Sequence, residues 1–123
     1  MSTYTPDRWT VVRIHTAKEV LYKVFASWGG GYGGSDSWKL NSGIVRATLV
    51  GDRWEFDGSS GSVYSCHEDA YGTNVYGSAV LSNMIGQAQE QGIQVEVMDR
   101  DTDWGQLRYD PLAQWVESGA NNA

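Results

Sequence analysis

RWTVVRIHTAKEVLYKVFAS, Arg8–Ser27, is the stretch that decides the fold class. Arg8–His15 is rich in β-branched residues and reads as a strand. Thr16–Lys18 can turn the chain, and Glu19–Ser27 follows with period-two alternation. Val20, Tyr22, Val24 and Ala26 share one face, while Leu21, Lys23, Phe25 and Ser27 share the other. The first set is wholly apolar and is expected to face the core. Together the two segments predict an antiparallel hairpin.

Further along, Ile44–Val50 and Arg53–Asp57 predict a second hairpin around Gly51-Asp52, where glycine in first place suits a type II′ turn. Trp54 and Phe56 point one way; Arg53, Glu55 and Asp57 point the other. Ser62–Cys66 reads as a fifth strand after the Gly58–Gly61 turn. Between Gly77 and Gln91 the period changes, because Val80, Leu81, Met84, Ile85 and Ala88 recur at helical spacing. Gly92 stops that helix, and Ser78 caps it, with Thr73 or Asn74 as the cap of an earlier start. Ile93–Val97 alternates again. Asp110-Pro111 opens a short second helix with Leu112, Trp115 and Val116 as its stripe. The expectation is a single α+β domain over residues 1–123. Its mainly antiparallel sheet has about five or six strands, with one principal helix on a face and a short C-terminal helix. Val20, Tyr22, Val24, Trp54, Phe56, Leu81, Ile85, Val95 and Val97 are its expected core.

Composition narrows the function classes. The chain has 123 residues, 15 of them glycine, and a net charge of −6. Residues 1–66 carry seven Lys/Arg against six Asp/Glu, and residues 67–123 carry two against nine. The acidic half would repel phosphate backbones, so general nucleic-acid binding is not expected. It would suit docking onto a basic partner site, or simply a solvated face. No apolar stretch is long enough to span a bilayer, and residues 1–7 lack the features of a signal peptide. One cysteine, Cys66, suits a reducing compartment, so a cytoplasmic protein is expected.

The densest aromatic feature is WGGGYGGSDSW, Trp28–Trp38, three large rings among glycines. A ring on a loop either folds back as a lid or waits for a ligand. Trp28, Tyr32, Asp36 and Trp38 are therefore the candidate binding residues for an unknown protein or small-molecule partner. Trp28 is expected to be mostly buried and Tyr32 exposed. The tract is not a phosphate loop, since it lacks Gly-Lys-Ser/Thr and runs into Asp36.

Other chemistry fails on spacing. Cys66 and His67 are adjacent on a strand and diverge, which argues against a nucleophile–base pair. Two histidines and one cysteine give no zinc spacing. Asp99, Asp101, Asp103 and Asp110 follow a calcium-loop rhythm, but Trp104 holds the sixth position, where an EF-hand requires glycine. A solvated acidic turn is the favoured reading. No catalytic residue, metal or cofactor is assigned.

Trp38–Gly72, with WKLNSGI, WEFDGSSGSVYSCH and AYG, resembles small uncharacterised proteins of bacteriophage genomes and marine environmental sequence. The resemblance implies a phage-type accessory setting and transfers no catalytic residue. The leading expectation is a small non-enzymatic binding or accessory protein. The alternative is a carbohydrate- or nucleotide-recognising module that uses loop aromatics.

Overall fold

The structure, a computed structural model, describes residues 2–30 and 34–109. It is an α+β arrangement of eight strands and one long helix. The strands are β1 (Thr3–Tyr4), β2 (Arg8–His15), β3 (Val20–Trp28), β4 (Ser37–Leu40), β5 (Ile44–Val50), β6 (Arg53–Gly58), β7 (Val63–His67) and β8 (Gln94–Val97). The helix α1 spans Val75–Glu90, and short 3-10 turns occupy Glu68–Ala70 and Trp104–Gln106.

Eight strands in two sheets replace the expected single sheet of five or six. One sheet has the order β1-β7-β6-β5 and the other β4-β3-β2-β8. Every pairing is antiparallel except that of β1 with β7. Both expected hairpins form. In the second, Gly51 takes φ 63° while Asp52 does not take a positive φ, as a type II′ turn requires.

The two sheets pack face to face. Trp9, Val11, Val24 and Ala26 meet Phe56, Tyr64 and Cys66, with Ile44 and Trp104 filling the same layer. On the outer face of the second sheet, Val12 and Phe25 meet Leu81 of α1, flanked by Val80, Met84 and Ile85. The β2–β3 hairpin is therefore covered on both faces. Phe25 and Ser27, expected on the non-core face, are fully buried because the helix lies over them.

Two boundaries and one core residue also differ from expectation. Ser37–Leu40, assigned to no strand from the sequence, pairs with β3. The helix begins two residues early because the Asn74 side chain, rather than Ser78, caps it, accepting from the Gly77 N–H at 2.6 Å. Its C-terminus follows the Schellman pattern: Ile93 N–H donates to Ala88 and Gly92 N–H to Gln89, with Gly92 at φ 76°. Val97, expected in the core, is 42% exposed at the end of an edge strand. The expected helix from Asp110 lies outside the described residues. Among those described, no helix is long and apolar enough to cross a membrane.

Candidate functional site

The glycine tract is held at its base by two carboxylates. Gly29 N–H donates to Asp7 and Gly30 N–H donates to Asp36, each at 2.8 Å. The two arms then close on each other. A Cβ on Gly34 would lie 2.0 Å from the Gly30 carbonyl oxygen, so glycine is the residue that fits.

Three of the four expected binding residues fall within the described chain, and they separate. Asp36 is spent on that backbone bond. Trp28 is partly buried against the core; its indole N–H donates to the Thr5 carbonyl at 3.0 Å and its ring meets Tyr4 edge-on. Trp38 alone offers a ring to solvent. It is 39% exposed and stacks on Phe25 at 5.6 Å. Tyr32 lies outside the described residues.

Cys66 and His67 point to opposite faces of β7, as alternation requires. Burial pushes the Cys66 thiol well above its ordinary range, so it is held as an inert thiol. His67 is fully engaged: Nδ1 accepts from the Asp69 N–H, and Nε2 meets the Asp52 carboxylate at 2.9 Å. The acidic turn is also self-satisfied. Asp99 accepts from the Asp101 N–H and Asp103 from the Gly105 N–H, the hydrogen bonds of Asx turns. Among the described residues no three His, Cys, Asp or Glu side chains gather to hold a metal ion; Asp110 lies outside them.

A different set of rings forms a cleft at the end of the sandwich. Trp9, Trp54, Tyr71 and Trp104 line it together with Glu68, Asp69, Arg100 and Thr102, around a volume of about 190 Å³. Each wall has a local cause. The 3-10 turn Glu68–Ala70 brings Tyr71 back over Trp9, where the rings meet edge-on at 4.8 Å. The Tyr71 hydroxyl donates to the Met98 carbonyl at 2.5 Å and accepts from the Val11 N–H at 3.3 Å, tying the turn to β2 and to the chain after β8. Burial pushes that phenol up to about 12. Asp103 caps the second 3-10 turn, which drives Trp104 between Trp9, Phe56 and Tyr71.

The indole N–H groups of Trp9 and Trp28 donate to carbonyls. Trp104 is 2% exposed, and its carbonyl accepts from the Tyr109 hydroxyl at 2.6 Å. Larger hollows lie between α1 and β8 and on the outer face of β5–β7, but neither is lined by an aromatic ring.

These cleft residues went unread as a site. Trp54 counted only as core, and Trp104 only as an obstacle to a calcium loop. The usable signal was the criterion applied to Trp28–Trp38, an aromatic ring in a segment without regular periodicity. Tyr71 and Trp104 satisfy it equally well, each just after a pair of acidic residues.

No family model, curated protein or solved structure compared with the chain matches it.

Proposed function

We propose that this chain is a small non-enzymatic binding protein that takes a single sugar ring in the Trp54–Tyr71–Trp104 cleft. The observation that carries the reading is a cleft whose rim brings Glu68, Asp69, Arg100 and Thr102 together over the buried rings of Trp9 and Trp104. A saccharide hydroxyl both donates and accepts, so it suits a wall that offers carboxylate acceptors and a guanidinium donor together. Trp9 and Trp104 are buried beneath a polar rim, so recognition rests on hydrogen bonds rather than on ring stacking.

Size and charge choose between ligand classes. At roughly 30 Å³ per water, the cleft holds about six waters' worth of volume, the scale of one ring rather than a nucleotide. Two carboxylates against one guanidinium also repel a phosphate. The engagement of His67 and the inert state of Cys66 favour binding over chemistry. An accessory role also fits the resemblance to phage-encoded proteins.

The test is calorimetry and tryptophan fluorescence across a panel of mono- and oligosaccharides. Binding with Kd of about 0.1–10 mM is expected. Arg100→Ala and Asp69→Asn, both at exposed side chains, should each weaken it at least tenfold while leaving the melting temperature unchanged. A panel without heat or fluorescence change at about 50 mM, several times the upper Kd, would end the reading. A second reading, docking of a protein partner, rests on the exposed ring of Trp38. Trp38→Ala separates the two, since it should leave saccharide binding intact.

A further inference from the structure

The sheet edges are unequal in a way that points to a partner. β1 is two residues long; β4 and β8 have four each and carry Lys39 and Glu96. Short, charged edges resist pairing with another chain. β5 is an edge of seven residues, and among the described residues no strand pairs with its outer side. Most of its length is exposed, including Val45 at 54%, Leu49 at 49% and Val50 at 51%. Its only charge, Arg46, is held by Asp57 at 2.8 Å.

We propose that β5 is the seam of a homodimer, pairing antiparallel with β5 of a second copy about a twofold axis at Thr48. The register follows from the strand itself. A bulge lies between Ile44 and Arg46, and the ladder to β6 is unbroken from Arg46 to Val50. A bulge disturbs the edge next to it, so the straight run Arg46–Val50 is the part that can pair. Centred on Thr48, that run sets Leu49 against Ala47 and Val50 against Arg46. The two Thr48 residues face each other, a favourable cross-strand pair, and no like charges meet. A second copy fits better than an unrelated strand because this run is complementary to itself. A twofold contact closes after two copies instead of growing into a fibre. The inference is independent of the saccharide reading, since the seam uses none of the cleft residues.

Sedimentation velocity of the full chain across roughly 1–300 μM tests it, because a seam this short gives a weak dimer. The expected result is a monomer–dimer equilibrium within that range. Leu49→Lys should be monomeric throughout, with an unchanged far-ultraviolet spectrum and melting temperature. Val50→Glu, which places a carboxylate against Arg46 of the second copy, should keep the dimer, while Val50→Lys should abolish it. A wild-type monomer at every concentration, a dimer that survives Leu49→Lys, or Val50→Glu and Val50→Lys acting alike would each overturn the proposal.

Discussion

Asn41 shows how one buried polar side chain can hold two elements in place. It is 3% exposed, between β4 and β5. Its Oδ1 accepts from the Val24 N–H at 2.8 Å, and its own N–H donates to the Val24 carbonyl at 3.0 Å. The side chain thus stands in for a strand partner where the chain leaves β4. Among the described residues its Nδ2 meets no partner, so the position already carries one unmet donor. Asn41→Ala would leave the buried Val24 N–H unpaired as well. The expected cost is about 1–3 kcal/mol, read from urea melts of the variant against the parent. Asn41→Asp keeps the acceptor but buries a charge without a cation, and should cost at least as much.

At the scale of elements, α1 depends on what its apolar stripe covers. Leu81 is 6% exposed and packs on Val12 and Phe25. Leu81→Ala should lower stability by about 2–5 kcal/mol, because the β2–β3 hairpin beneath cannot collapse into the space. A variant melting within a degree or two of the parent would show that the helix is not seated as described. This element also marks how far the chain was legible. Helical spacing of Val80, Leu81, Met84 and Ile85 placed it within two residues at its start. Alternation in β3 showed which residues share a face, but not that both faces would be covered. Nothing local to Phe25 records that a helix some fifty residues later lies on it. β4 was missed for a related reason: Ser37–Leu40 has no β-branched residue and comes two residues after a glycine-rich tract, so only the pairing with β3 makes it a strand. The cleft was least legible. Its rings come from β2, β6 and two separate turns, and no sequence pattern links Trp9, Trp54, Tyr71 and Trp104.

The whole molecule buries acids whose ordinary ionisation lies in alkaline solution, and that sets one edge of its stability. Tyr64, Cys66, Tyr71 and Tyr109 all have raised pKa values, with burial the largest cause in each case. Tyr64 and Cys66 lie in the layer between the sheets, while Tyr71 and Tyr109 pack against it. The folded protein favours the neutral form of each group. Unfolding would let the thiol ionise near its ordinary 9.0 and the phenols near 10.0, whereas folded Tyr71 holds its proton to about 12. The unfolded state therefore binds fewer protons across that interval, and stability falls as pH rises. Below about pH 9 the contribution of these groups is intact. Urea midpoints measured from pH 8 to 11 should stay level at first and then decline steeply. Tyr71→Phe should behave in two opposite ways. At neutral pH it should be less stable than the parent, having lost its bond to the Met98 carbonyl and its acceptance from the Val11 N–H. Between pH 10 and 11 its stability should fall less steeply, since one of the linked protons has gone. Parallel curves for the two proteins would mean that Tyr71 ionises alike in the folded and unfolded chains, and that the cleft wall is open to water.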